Sequence, residues 1–214
     1  MKSNNLFLIG LDGAGKTTHA KKLIDKLTMQ GKKTRYVYMR GYSRVFLAVP
    51  FLVISRLLGV TRVHVLEDGI KVSEYRFYTN KVFKTFWPFV SLIDSLLYSF
   101  IFFHLCSISY KGLTISDRSI VDTLVDIIAD TQDCYFFKHY GRYFLNLIPK
   151  NSVVVLLDVD EKTAIKRKKD VLNLRYLKKR RAIYRKLADR YKWVIINTNT
   201  DFDIVHQKLL RVFD

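Results

Sequence analysis

Gly10-Leu11-Asp12-Gly13-Ala14-Gly15-Lys16-Thr17-Thr18 is the stretch of this 214-residue sequence that decides the fold. Its first eight residues fit G-x-x-x-x-G-K-[ST], the pattern of a phosphate-binding loop. An apolar run at 6–9 precedes it, and the residues that follow place an apolar face at helical spacing: Ala20, Leu23, Ile24 and Leu27. The motif therefore has the strand before it and the helix after it that this loop requires.

The residue types of the loop explain the ligand that it predicts. Glycines let the backbone curl until successive N–H groups point at phosphate oxygens, and the N-terminus of the following helix adds partial positive charge. Lys16 is placed to bridge the β and γ phosphates, and the Thr17 hydroxyl to bind Mg²⁺. We expect ATP with Mg²⁺ to bind across the whole stretch from Gly10 to Thr18.

The rest of the chain alternates strand-like and helix-like segments. Further strands are predicted at 35–39, 113–116, 153–157 and 193–196, with a closing helix at 203–213. This order predicts a three-layer α/β/α fold of the phosphate-loop NTPase type, with a five-stranded parallel sheet. We expect one domain over 1–214, in which 41–112 is an apolar helical acceptor-side segment and 162–192 is a lid with a basic helix.

Composition indicates the class of binding partner and the cellular location. The 37 basic and 19 acidic residues give a net charge of +18, which favours polyanionic partners such as nucleotides, nucleic acid or acidic lipid. Cys106 and Cys134 are too few for a disulfide framework. The first residues show no pattern of a cleavable signal peptide. We therefore expect a reduced, cytoplasmic location.

Two apolar stretches, 45–60 and 91–108, do not fit a plain nucleotide-binding core. The second only approaches the length of a membrane span, and Asp94 and His104 interrupt it. We favour a core helix that also packs against a second subunit. A surface contact with a membrane and a true span are the alternatives that we do not favour.

Three further patterns carry a resemblance to a known family. They are the strand-end pair Asp117-Arg118, the pair Arg40-Gly41 after the second predicted strand, and Leu157-Asp158-Val159 before a basic helix. Together with the phosphate loop, their order resembles the thymidylate kinase family of nucleoside monophosphate kinases. The resemblance runs from about residue 6 to the carboxyl terminus and is interrupted between 41 and 111. It implies transfer of the γ-phosphoryl group of ATP to a nucleoside monophosphate, normally dTMP, by a homodimeric enzyme of nucleotide biosynthesis.

The resemblance also implies roles for single residues. Asp12 matches the loop acid aimed at the acceptor sugar 3′-hydroxyl, and Asp117 matches the acid near Mg²⁺. Arg40 and Arg118 match arginines that bind the acceptor phosphate and the transferring group. Some relatives carry an arginine where this chain has Gly13, so charge neutralisation is expected from the lid. We expect Arg167 to supply it, with Arg175 as the second candidate, alongside Lys16 and Arg118, and we expect both lid arginines to bind ATP.

The chain departs from the family pattern near the acceptor. Ser119 replaces the usual aromatic residue after Asp-Arg, and the glutamine that reads the thymine edge has no counterpart within Asp122-Thr123-Leu124-Val125-Asp126-Ile127. Phosphoryl transfer is therefore better supported than dTMP as the acceptor. A kinase of the same fold that acts on a sugar or lipid-linked acceptor is the main alternative.

Two other classes share parts of the pattern. Arf-like GTPases have a very similar loop, but beyond that loop this sequence lacks their Asp-x-x-Gly, and Asn197-Thr198-Asn199-Thr200-Asp201 lacks the lysine that reads guanine. A nucleic-acid-binding NTPase would use the charge of +18 on a phosphate backbone, but helicase-type repeats are missing. We expect no specific nucleic acid partner.

Overall fold

A computed structural model describes residues 5–39, 47–65, 69–100, 110–168 and 174–212. The elements, in chain order, are β1 (Asn5–Ile9), α1 (Lys16–Met29), β2 (Thr34–Tyr38), α2 (Ala48–Leu57), β3 (Thr61–Val65), β4 (Lys71–Tyr75), a 3₁₀ turn (Phe77–Thr79), α3 (Lys81–Phe100), β5 (Leu113–Asp117), α4 (Ile120–Thr131), α5 (Cys134–Leu145), β6 (Ser152–Asp158), α6 (Glu161–Arg167), α7 (Leu174–Tyr191), β7 (Val194–Asn197) and α8 (Phe202–Arg211).

The five predicted strands form one parallel sheet in the order β2-β5-β1-β6-β7. Four of the five residues of β1 are buried, as expected for the central strand of a covered parallel sheet. The strand bounds differ from the predicted ones by one or two residues, because strand pairing continues into polar residues: Leu8 pairs with Asp117, and Asp158 with Asn197. The predicted α/β fold class is confirmed.

Two groups of helices flank the sheet. Helices α1 and α8 contact each other and the strands, whereas α4 packs with α3, α5 and α7. Since all five strands run in the same direction, their carboxyl ends share one edge, where ligands bind in open α/β sheets. The phosphate loop follows β1 at that edge.

The segment 41–112 is not wholly helical, which corrects our prediction. Between α2 and α3 the chain forms an antiparallel hairpin of β3 and β4. The prediction of a helical segment did not take account of the alternation in β3, which follows the apolar stretch 45–60 and in which apolar Val63 and Val65 flank His64. A second apolar cluster fills this part of the protein, around the fully buried Phe77 and Trp87.

Asp94, in the middle of α3, joins α3 to α2. Its two carboxylate oxygens accept hydrogen bonds from the backbone N–H groups of Leu47 (3.2 Å) and Ala48 (2.8 Å), at the start of α2. No side chain at the start of α2 caps the helix, so Asp94 satisfies N–H groups that would otherwise be unpaired. Ser91 and Ser95 are buried on the same side of α3. The polar residues within 91–98 therefore face inward.

The outward face of α3 is apolar. Val82, Phe86, Phe89, Ile93 and Leu96 are all exposed, and they alternate at spacings of four and three residues. Within the described part of the chain, no helix is both long and apolar enough to cross a membrane. Residues 101–109, which complete the predicted stretch 91–108, lie outside the described residues.

Candidate active site

The phosphate loop is shaped by glycines at two close approaches. Gly10 has φ of 140°, and a Cβ there would lie 2.4 Å from the carbonyl oxygen of Leu157. Gly13 has φ of 86°, and a Cβ there would lie 2.6 Å from the carbonyl oxygen of Ala164 in α6. Both positions exclude side chains for steric and conformational reasons. The close approach of α6 thus explains why this loop carries no arginine at 13.

Lys16 lies across the loop. Its ammonium group donates hydrogen bonds to the carbonyl oxygens of Gly10 (2.8 Å) and Leu11 (2.7 Å). Burial, with the nearby Arg118 guanidinium, lowers the pKa of Lys16 to about 8. The lysine therefore presents a desolvated donor at the place where phosphate oxygens would bind.

Thr17 and Asp117 meet at the end of β5. The Thr17 hydroxyl donates to Oδ2 of Asp117, and the Tyr36 hydroxyl donates to the same oxygen at 3.1 Å. Oδ1 of Asp117 is buried and has no hydrogen-bond donor among the described residues. A hydroxyl and a carboxylate with a spare oxygen are ligands that suit Mg²⁺. The residues present therefore fit the predicted metal.

Tyr36 is a site residue that the sequence analysis missed. Its contact with Asp117 follows from the pairing of β2 with β5, in which Tyr36 lies opposite Ile115, two residues before Asp117. Burial and the Asp117 carboxylate raise the pKa of Tyr36 to about 12, so the hydroxyl stays a donor at neutral pH. Tyr36 lies in the middle of β2, where the sequence carries no motif that would have singled it out.

Asp12 contacts three basic side chains of the site. Arg118 Nη2 contacts Asp12 Oδ1, Arg180 Nη1 lies 3.3 Å from Oδ2, and Lys168 Nζ lies 3.7 Å from Oδ1. Burial acts to raise the pKa of Asp12, but Arg118, Lys16 and the other two cations together hold it well below its ordinary value. Asp12 is therefore ionised and holds two guanidinium groups beside the loop.

Arg118 reaches the loop through an unusual backbone conformation. Its φ is 75°, in the left-handed region that few residues other than glycine adopt. The next residue, Ser119, caps α4: its hydroxyl accepts from Val121 N at 3.0 Å, and Asp122 Oδ2 accepts from Ser119 N at 2.7 Å. Local strain of this kind is common at functional sites. As the cap of α4, Ser119 has a structural role at the position where the family usually has an aromatic residue.

Arg180 of α7 is the second residue that the sequence analysis missed. It is only 4% exposed, and its Nη2 lies 2.6 Å from Asp126 of α4. It belongs to a set of pairs between α4 and α7, which we call the α4–α7 ladder. The pairs are Asp122 with Tyr184 (2.8 Å), Asp126 with Arg180 (2.6 Å) and Asp130 with Tyr176 (2.8 Å). In both helices the partners are four residues apart, one helical turn.

The two predicted lid arginines, Arg167 and Arg175, are exposed, whereas Arg180 is buried. Arg167 ends α6 and Arg175 lies in the first turn of α7, and both are exposed. The structure brings Lys168 and Arg180 to Asp12, while roles for Arg167 and Arg175 in transfer stay predictions. Arg40 lies outside the described residues.

The part of α4 expected to read an acceptor base is apolar. Ile127, at the end of the stretch 122–127 in which the family's glutamine has no counterpart, is fully buried in the second apolar cluster with Leu124. The neighbouring Asp126 is paired with Arg180. The described residues of this turn thus serve packing and the α4–α7 ladder.

The fold and the loop motif are those of a phosphate-loop α/β protein. No protein-family model matches the chain, and no curated protein matches its sequence. Among solved structures, the fold is similar to thymidylate kinase from Ehrlichia chaffeensis (TM-score 0.60, 15% identity, 100% of both chains). It is also similar to deoxyadenosine kinase from M. mycoides with bound dCTP (TM-score 0.53, 15% identity, 97% of both chains). The chain therefore has a fold of the thymidylate and nucleoside kinase type.

Proposed function

We propose that this protein is a kinase that transfers the γ-phosphoryl group of ATP to a nucleoside monophosphate. The observation that carries the proposal is the cluster of Lys16, Thr17, Asp117, Arg118 and Arg180 around the phosphate loop, at the carboxyl edge of the sheet. Phosphoryl transfer needs chiefly positioning and charge neutralisation, which these groups supply. The likeness to two nucleoside and nucleotide kinases supports the proposal.

Each residue has a role that its position suits. Lys16 and the backbone N–H groups of the loop bind the phosphates of ATP, and Thr17 and Asp117 hold Mg²⁺. Bound Mg²⁺ supplies Lewis-acid neutralisation of phosphate oxygens. Arg118 and Arg180, held by Asp12, face the transferring group and the acceptor phosphate. Asp12 also offers carboxylate oxygens to an acceptor hydroxyl.

We propose dTMP as the first acceptor to test. The family resemblance of the motifs and the similarity to a thymidylate kinase structure support it. The second candidate, a sugar or lipid-linked acceptor, is favoured by the stretch 122–127, which has no counterpart of the family's glutamine that reads the thymine edge. The two candidates share the ATP side of the site and differ only in the acceptor.

The deciding experiment is a transfer assay with labelled ATP, Mg²⁺ and a panel of nucleoside monophosphates. Formation of labelled dTDP, or of another nucleoside diphosphate, supports the proposal and identifies the acceptor. The matched control is Lys16→Met, which keeps the length of the side chain and removes its charge. ATP binding without transfer to any monophosphate would contradict the proposed acceptor class, and failure to bind ATP would contradict the kinase assignment.

We also propose that α3 pairs with its copy in a homodimer. Alternating spacings of four and three residues, as in Val82, Phe86, Phe89, Ile93 and Leu96, are typical of helix pairing. An apolar stripe of this length is rarely left exposed on a monomer. Sedimentation equilibrium should give twice the monomer mass for the wild type and the monomer mass for Ile93→Glu. A wild-type monomer would contradict the dimer.

A further inference from the structure

The central pair of the α4–α7 ladder differs in chemistry from the pairs on either side of it. Each outer pair joins a carboxylate to a phenol: Asp122 with Tyr184, and Asp130 with Tyr176. The central pair joins Asp126 to Arg180 and has two opposite charges. Packing of the two helices does not by itself require a cation at 180, because hydroxyl donors satisfy the acids one turn away on both sides. The charge of Arg180 therefore calls for another explanation.

Arg180 is buried between two carboxylates. Asp126 makes the shorter contact, at 2.6 Å from Nη2, and Asp12 lies 3.3 Å from Nη1. The Asp126 side chain is itself largely buried, and burial raises its pKa while the charge of Arg180 acts in the opposite direction. A buried ion pair of this kind is destabilised strongly when one partner is removed. The position of the guanidinium group thus depends on Asp126.

Asp12 is a weaker anchor for Arg180 than Asp126. Its carboxylate also contacts Arg118 and, at 3.7 Å, Lys168, so three basic side chains share it. Phosphate oxygens that bind in the loop would compete with Asp12 for these cations. Asp126 lies on α4, outside the loop. We therefore expect Arg180 to keep its contact with Asp126 when phosphate replaces Asp12 beside Nη1.

We propose that Asp126 is the positioning residue for Arg180: it holds Nη2 of the guanidinium on α4, so that Nη1 faces the transferring phosphate. This inference rests on the proposed function, because it assigns Arg180 to the transfer of the phosphoryl group. Asp126 acts through Arg180 and does not contact the substrate. A planar guanidinium that is fixed at one end needs little rearrangement when charge develops on the transferring group.

The position of Arg180 is tested without substrate, by NMR of the full chain with ¹⁵N-labelled arginine. A paired and buried guanidinium rotates slowly and should give resolved Nη–H signals, and the signals that are missing from Arg180→Lys belong to Arg180. Asp126→Asn should broaden or remove them, because the charge beside Nη2 is lost. The matched control is Asp130→Asn, on the same helix, which should leave them unchanged because Asp130 pairs with Tyr176.

The effect on transfer is tested by a double-mutant cycle with the acceptor found in the transfer assay. Asp126→Asn should lower kcat roughly tenfold and change the KM for ATP by less than about twofold, since the lost contact acts on the transferring group. Asp126→Asn/Arg180→Lys should be no slower than Arg180→Lys, because both changes remove the same contact. Asp130→Asn should keep the kcat of the wild type. Asp126→Glu keeps the charge, so it should give an intermediate kcat, and it replaces Asp126→Asn if that variant does not fold.

The outcomes distinguish this inference from the proposed function. Unchanged Arg180 signals in Asp126→Asn, or their loss in Asp130→Asn as well, would overturn the role of Asp126. A wild-type kcat in Asp126→Asn, or effects of Asp126→Asn and Arg180→Lys that simply add, would overturn it equally. If the wild type transfers phosphate to no monophosphate, the proposed function fails, while the NMR signals still decide whether Asp126 holds Arg180.

Discussion

The Nη1 atom of Arg180 lies 3.3 Å from Oδ2 of Asp12, so helix α7 directly contacts the phosphate loop. The same guanidinium reaches Asp126 through its other terminal nitrogen at 2.6 Å. A planar group with several donors can serve two carboxylates at once. Arg180 thus connects the α4–α7 ladder to the phosphate loop.

Arg180→Lys should lower kcat by about ten- to a hundredfold, because a single ammonium cannot contact both Asp12 and Asp126 as the guanidinium does. The KM for ATP should change much less. Steady-state kinetics with the acceptor found in the transfer assay measure both. Arg185→Lys, an exposed position on the same helix, is the control and should behave as wild type. Unchanged kcat in Arg180→Lys would restrict Arg180 to a structural role.

Lys16→Ala should reduce transfer by on the order of a thousandfold, since neutralisation of the transferring phosphates is lost. The fold should remain, because the hydrogen bonds of the lysine ammonium go to two carbonyl groups of the loop and not to the apolar core. Activity and thermal melting are measured together, with exposed Lys21→Ala as the matched variant. Wild-type turnover by folded Lys16→Ala would refute the assignment of the loop.

Arg167→Ala should lower kcat more than it raises the KM for ATP, if Arg167 meets the transferring group mainly in the transition state. Arg167 is exposed at the end of α6, so its removal should leave stability unchanged. The kcat and KM of Arg167→Ala and Arg175→Ala are compared with those of Arg180→Lys. A change confined to the KM would make Arg167 a binding residue and leave Arg180 as the arginine of transfer.

Asp130→Asn should stabilise the protein increasingly as pH rises above about 4. Burial, with Asp126 nearby, raises the pKa of Asp130 well above its ordinary 3.8. The folded state therefore keeps this proton to a higher pH than the unfolded state, and stability falls as pH rises through that interval. Asparagine removes this loss and keeps an oxygen for the Tyr176 hydroxyl.

Melting temperatures of Asp130→Asn and wild type at pH 5 and pH 7 test this prediction. The exposed Asp189→Asn on α7 controls for the change in net charge. If the melting temperature of Asp130→Asn exceeds that of the wild type by less at pH 7 than at pH 5, the prediction is contradicted.

The sequence predicted the features that are encoded locally. The apolar runs of the five strands and the spacing of the phosphate loop each lie within a few residues, and the structure contains both. The role of Arg180 could not be predicted from a local sequence pattern. It is one of many basic residues between 162 and 192, and only the packing of α7 on α4 shows which of them faces Asp12.

The inward direction of the Asp94 side chain could not be predicted from the sequence pattern either. It depends on where α2 begins relative to α3, and the two helices are joined by the β3–β4 hairpin, which the prediction of a helical segment over 41–112 did not include. Arg118 was predicted from its motif, but its positive φ and its contact with Asp12 follow from the turn that starts α4. Local patterns therefore located the edge of the site, and tertiary packing selected the side chains within it.

The contact between Gly13 and the backbone of Ala164 links the evolution of two distant segments. A homologue that acquires a bulky residue at 13 must also shift α6 away from the loop, because the obstacle is a main-chain oxygen and not a side chain that can be exchanged. A bulky residue at 13 is thus compatible only with an α6 that lies further from the loop. Covariation between position 13 and the first turns of α6 should mark which solution each lineage has adopted.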